Sequence, residues 1–164
     1  MALTILSDQL LNAHLRPAVA PHSAREIYTV QFAATLPDTL AINNLVGLAQ
    51  LPPLCVPVDC KLYVSDIDGA TALVWAAGIL DTAKTALVTG SKLIDASTVG
   101  RTAGFQVPNV HNGIFLPATW LAEALCPAKD AAKTFTMFIA TAAGTPAAGT
   151  VYGWLQYRAM EFGG

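Results

Sequence analysis

Residues Thr134–Met160 read TFTMFIATAAGTPAAGTVYGWLQYRAM. Phe135, Met137 and Ile139 alternate with Thr134, Thr136 and Phe138, the two-residue period of a strand. A soft loop of Ala, Gly, Thr and Pro follows, and Val151–Met160 reads as a second strand. That last strand sets Val151, Gly153, Leu155 and Tyr157 on one face and Tyr152, Trp154, Gln156, Arg158 and Met160 on the other. The first set suits a core. The second mixes Tyr, Trp, Arg and Met, residue types enriched where proteins meet. Two arrangements cover such a face: a sandwich strand enclosed on both sides by its own chain, or an intermolecular contact.

Composition favours the contact. Charged residues make up 12% of the 164-residue chain and apolar residues 54%, with a net charge of −2, against roughly 25% charged in an average globular protein. A surface so poor in charge tends to associate. A membrane-spanning helix needs about 18–20 apolar residues in a row, and Ala70–Leu80 (ATALVWAAGIL) is about half that. Lys and Arg are scattered singly, without the basic patch of a nucleic-acid binder. The N-terminus MALTILSDQLL lacks a basic leader and is interrupted by Asp8, so a cytosolic site of synthesis is expected rather than secretion.

Working outward, short strands recur at turn-punctuated intervals. Ile27–Ala33 is β-branched and aromatic, and Cys60–Val64 ends at Ser65-Asp66. Thr71, Leu73, Trp75, Ala77 and Ile79 share one face of a further strand, with Val74 on the other, closed by Asp81. Ala86–Val88, Phe105–Val107 and Gly113–Leu116 are shorter runs. Leu51–Pro57 carries three prolines and is expected to be a connector or an edge. Ala41–Gln50 places Ile42, Leu45, Val46 and Ala49 at helical spacing, and Trp120–Leu125 after Thr119 reads as one or two helical turns. The fold expected is all-β: an antiparallel β-sandwich or jelly roll with a short N-terminal arm and one or two helical turns. Residues 1–21 form the arm, in which Ser7-Asp8-Gln9 caps a short helix through Leu10, Leu11, His14 and Leu15 that Pro17 stops; residues 22–164 form the sandwich.

The residues that bear chemistry form no strong pattern. Asp66-Ile67-Asp68-Gly69 begins like a calcium loop, but the twelfth position is Ala77 where a Glu is needed, so a hairpin turn is the better reading; ion capture by the two carboxylates stays open. Cys55, Cys60, Cys126 and His111 depart from zinc-knuckle spacing, and three cysteines suit buried thiols better than a disulfide framework. His14, His22 and His111 lack patterned partners, and Gly90-Ser91 is not a nucleophile elbow because Leu93 replaces its second glycine. Arg101, between Gly100 and Gly104, is expected in a turn where it meets a carboxylate at an interface, with anion binding as the alternative. No enzyme activity, cofactor or metal is expected.

Several of these stretches also carry a resemblance. Ala70–Leu80, Gly90–Ile94, Thr98–Gly104 and the run Phe138–Val151 with Leu155-Gln156-Tyr157-Arg158 together resemble small virion structural proteins of tailed bacteriophages, the decoration or cement proteins of the head. The resemblance spans roughly Cys60–Met160. It implies a sandwich that is oligomeric, often a homotrimer, on the outside of the capsid, assembled in the host bacterial cytoplasm and bridging neighbouring copies of the major capsid protein. It carries no catalytic residues and implies no nucleic-acid or membrane partner. Exposure arguments then nominate Leu3, Ile5, Leu10, Leu11, Arg101, Tyr152, Trp154 and Arg158 for capsid or oligomer contact, with loss of Met1–Pro17 expected to weaken shell binding but not folding. The alternative is a tail- or neck-associated jelly roll that binds a receptor or carbohydrate, stacking Trp75, Trp120 and Trp154 on sugar rings.

Overall fold

A computed structural model describes residues 4–11, 26–110 and 117–160. In chain order the elements are β1 (Thr4–Leu6), α1 (Asp8–Leu11), β2 (Tyr28–Leu36), β3 (Leu45–Leu51), β4 (Cys55–Val64), β5 (Val74–Ile79), a 3-10 turn at Thr89–Ser91, β6 (Ile94–Ser97), β7 (Gly104–Gln106), α2 (Pro117–Trp120), β8 (Lys133–Thr141) and β9 (Gly149–Ala159). They form two sheets, β1-β3-β8-β5-β6 and β2-β9-β4-β7. All pairings are antiparallel except β1 with β3. This is the all-β sandwich expected from the strand periods.

The core lies between the sheets. Phe135, Met137 and Ile139 of β8 and Trp75, Ala77 and Ile79 of β5 are fully buried from the first sheet. Phe32, Leu36, Leu62, Val64, Val151, Leu155 and Tyr157 meet them from the second. The alternation read in β8 and β9 therefore points inward as expected. Leu73 and Trp75–Ile79 also behave as read, whereas Thr71 lies outside the strand, exposed, at φ 60°.

Two local readings change and a third is resolved. Ala41–Gln50 is not helical: Leu45–Leu51 is a strand whose residues are buried apart from Gln50. It sits between β1 and β8 and is also overlain by α1, so both faces are apolar and the two-residue alternation disappears. Both readings of Leu51–Pro57 apply: Pro52 and Pro53 lie in the connector between β3 and β4, and Pro57 lies inside β4 where the strand is an edge. Its half of β4 pairs with β9 alone, since β7 pairs only with Leu62–Val64, and a register shift follows between Pro57 and Asp59. An unpaired side and a bulge are where a strand tolerates proline. The helical turn near Trp120 ends there rather than beginning there, with turns following over 121–126. The strand expected at Gly113–Leu116 lies outside the described residues.

Residues 4–11 of the arm close one side of the sandwich. The Ser7 N–H donates to the Gly47 carbonyl at 2.7 Å, and its hydroxyl donates to the Leu48 carbonyl. The same hydroxyl accepts the Leu10 N–H at 3.3 Å, the N-cap contact expected from Ser7. Leu10 crosses β3 over Gly47, where an added Cβ would stand 2.7 Å from Leu10 Cδ1. The missing Cβ lets the ends of Leu10 and Leu6 lie close on the strand.

Candidate interaction face

The outward face of the second sheet carries the open cluster of aromatic side chains. Because β2, β9, β4 and β7 lie side by side, register aligns their outward residues in rows. One row runs Ala33–Tyr152–Tyr63–Phe105, and the next runs Gln31–Trp154–Lys61. Direct cross-strand neighbours bring rings into contact. Tyr63 stacks on Tyr152 at 4.7 Å between centroids and meets Phe105 edge-on at 5.2 Å. Lys61 Nζ lies 4.5 Å from the centre of the Phe105 ring.

Phe105 is 60% exposed and Tyr152 46%. Together with Asp8, Gln31, Ala33 and Trp154 they line a shallow depression of about 570 Å³. Its floor includes Gly153, where a Cβ would strike the Lys61 carbonyl oxygen. Aromatic rings with one face wet and one stacked, around a single cation, suit a largely apolar partner surface.

Of the nominated residues, Tyr152 and Trp154 lie in this cluster. Arg158 shares their face further along β9, half-buried, with Nη1 donating to the Ala159 carbonyl at 3.3 Å. Ile5 packs against the core, and Leu10 lies over β3. Leu11 ends α1, and Leu3 lies outside the described residues. Arg101 meets no carboxylate in its turn. Its Nε donates to the Leu73 carbonyl at 2.8 Å and its Nη2 to that of Ala72 at 3.4 Å, tying its loop to the approach to β5. Sequence reasoning missed Tyr63, Phe105, Lys61 and Gln31. The signal was present: with Leu62 and Val64 inward, Lys61 and Tyr63 must face out.

The carbohydrate reading loses two of its three stacking rings, because Trp75 and Trp120 are fully buried. Trp75 also donates its indole N–H to the Val99 carbonyl at 2.6 Å.

Asp68 is neither a simple hairpin turn nor open to an ion. It is fully buried, and its carboxylate accepts four backbone N–H groups: Ala70 at 3.1 Å, Leu73 at 2.6 Å, Gly144 at 2.9 Å and Thr145 at 3.3 Å. Burial alone would raise its pKa, but the N–H groups of Leu73, Ala70 and Thr145 outweigh that and hold it at about 2. Asp66 contributes an oxygen to the Asp68 N–H at 3.4 Å. Asp68 thereby ties its own loop to the loop at Gly144 and Thr145.

The cysteines sit apart from the aromatic face. Cys55 and Cys60 are buried in β4, and burial raises both thiols, with Lys133 partly opposing this at Cys55. Burial likewise raises Cys126. Such thiols are protonated and unreactive. Lys133 is buried beside Cys126 and Cys55, with Nζ donating to the Lys129 and Ala131 carbonyls at 3.1 Å each; burial lowers its pKa. Among the described residues, no three His, Cys, Asp or Glu side chains gather as a metal site. His14, His22 and His111 lie outside them.

No family model matches this sequence, and neither does any curated protein. Solved structures do share its fold. A chain in the capsid of Ralstonia phage GP4 is 24% identical, with a TM-score of 0.74 over 98% of this chain and 100% of that one. A chain in the capsid asymmetric unit of cyanophage Pam1 is 14% identical, with a TM-score of 0.54 over 87% of this chain and 92% of that one. At these identities the likeness is one of fold, and each of these two chains comes from a phage capsid structure.

Proposed function

We propose that this chain is a non-enzymatic virion structural protein: a head decoration or cement protein that binds the outside of a phage capsid and bridges neighbouring major capsid protein subunits. The observation that carries the reading is the fold likeness to a chain of the Ralstonia phage GP4 capsid, which extends over 98% of this chain and all of that one. The likeness therefore takes in the whole sandwich and not one sheet of it. The aromatic face supplies the contact surface, and the low charge of the chain keeps the cost of desolvating it small. Contacts formed only with the assembled shell stabilise it by mass action. Many copies each add a few kcal/mol to a lattice that fails only when many contacts open together.

The test is to add purified protein to capsids of its phage that lack it, quantify bound copies per coat subunit, and locate them by electron cryomicroscopy. Saturable occupancy on the outer surface is expected, reduced by Tyr152→Ala with Phe105→Ala. No binding, or binding that ignores both changes, removes the reading or its assigned face respectively.

A further inference from the structure

The second sheet ends at β2, and this edge differs from the other sheet edges. β1 and β7 are three residues long and β6 is four, whereas β2 runs nine residues without a charge, Pro or Gly. It keeps an unbroken register with β9 from Tyr28↔Tyr157 to Leu36↔Gly149, so no bulge turns it aside. Folded proteins usually protect such an edge with charge, proline, a bulge or a cover. Among the described residues the protection is local: the Ala33 N–H donates to Asp8 Oδ1 at 2.7 Å. Because that N–H points away from β9, the backbone groups of Thr29 and Gln31 also lie along the outer edge. Both residues are exposed. Beyond Asp8, toward the strand's start, the inward residues Tyr28 and Val30 are only partly buried, and Ile27 is 55% exposed. Among the described residues, open backbone and uncovered apolar surface therefore coincide over Ile27–Gln31.

We propose that this half of β2 pairs with the same half of β2 in a second copy of the chain, antiparallel about a two-fold axis at Val30. The two outward residues beyond the Asp8 contact make the segment self-complementary. A two-fold axis at Val30 sets Thr29 opposite Gln31 of the second copy, and the reverse, and each such pair exchanges two N–H···O bonds. An uncharged strand meets itself without opposing like charges. Val30 meets Val30 and covers the apolar end of the sandwich. Asp8 keeps the Ala33 N–H, so the arm stays in place. The four-stranded sheets join into one, and two aromatic faces come to lie side by side. The proposal does not depend on the decoration reading.

The test is the mass of the full chain by light scattering across a concentration series, for the unmodified protein, Gln31→Pro and Gln31→Asp. Proline removes an outward donor while leaving the β9 ladder intact; aspartate places two carboxylates close to the axis. Far-UV circular dichroism and thermal melting establish that each variant is folded, and the second variant decides if the first is not. A dimer that both folded variants reduce to a monomer is expected. A monomeric or trimeric unmodified chain, or a dimer unaffected by a folded variant, overturns the proposal.

Discussion

The two sheets treat their outward faces in opposite ways. Around β3 the first sheet is covered by the chain itself: Leu10 crosses Gly47, Ser7 bonds Gly47 and Leu48, and six of the seven β3 residues are buried. Across β9 the second sheet leaves Tyr152, Trp154, Tyr63 and Phe105 uncovered or partly so. Both strands carry apolar residues on two sides, yet among the described residues the chain itself covers only one of them. An apolar outer face is evidence of cover, and the source of that cover is fixed by what else the chain can bring to it. Residues 4–11 reach β3.

The closed parts of the molecule should fail first when broken. The largest loss is expected at Asp68, whose removal takes the acceptor from four backbone N–H groups, that of Leu73 in the buried interior. Asp68→Ala should lower the melting temperature further than loss of the arm or any single change on the open face. Acid should reproduce part of that loss in the unmodified protein. The folded pKa, about 2, lies below the unfolded value near 4, so the carboxylate's contribution is complete above about pH 4 and lost as the pH falls through about 2. Asp68→Ala should flatten this part of the acid limb. An unchanged acid limb would place the sensitivity elsewhere.

Next in size is the arm. Deleting residues 1–11 uncovers Gly47 and removes Ile5 from the core. At about 1.5 kcal/mol or more per buried aliphatic side chain, the cost should be about 2–4 kcal/mol in denaturant unfolding. The sandwich is still expected to fold without Met1–Pro17, and this packing adds that it should do so at reduced stability. A truncated chain of full stability would return the arm to service as a free docking element.

How far the sequence could be read follows the same division. Strands with a clear two-residue alternation were legible, as in Phe135–Ile139 and Val151–Tyr157. Strand β3 was not, because apolar residues on both faces erase the two-residue period and leave a spacing that also fits a helix. Pro57 fitted the edge alternative, because the rule against proline in strands holds for positions paired on both sides. Asp68 and Arg101 could not be assigned from neighbours. The partners of Asp68 include Gly144 and Thr145, more than 70 positions away, and those of Arg101 lie at Leu73 and Ala72. The aromatic face was half legible: Tyr152 and Trp154 could be placed on a face, but their alignment with Tyr63 and Phe105 depends on strand order, which no local pattern encodes.

On the open face the same kind of change should barely affect stability. Tyr152→Ala removes one stacked ring that is 46% exposed, worth about 1 kcal/mol of ring–ring contact. If the face is a binding surface with Tyr152 near its centre, capsid affinity should fall about 30-fold or more, the loss typical of an interface hot spot. A large stability loss with unchanged binding would invert the comparison and make this face another piece of internal structure.

The smallest effect is expected at Lys61, and it separates two kinds of open face. Its ammonium lies 4.5 Å from the centre of the Phe105 ring and is partly exposed. A cation over a ring in such a place is worth about 0.5–1 kcal/mol, and a methionine of similar length retains contact with the ring edge. Lys61→Met should therefore change the unfolding free energy by about 0.5 kcal/mol or less. It should also leave the salt dependence of capsid binding shallow, because a single charge among aromatic rings gives little long-range steering. A steep salt dependence that Lys61→Met abolishes would mean that the partner presents an acidic group to this position. The rings would then serve to position the cation, and the face would be read by charge before it is read by shape.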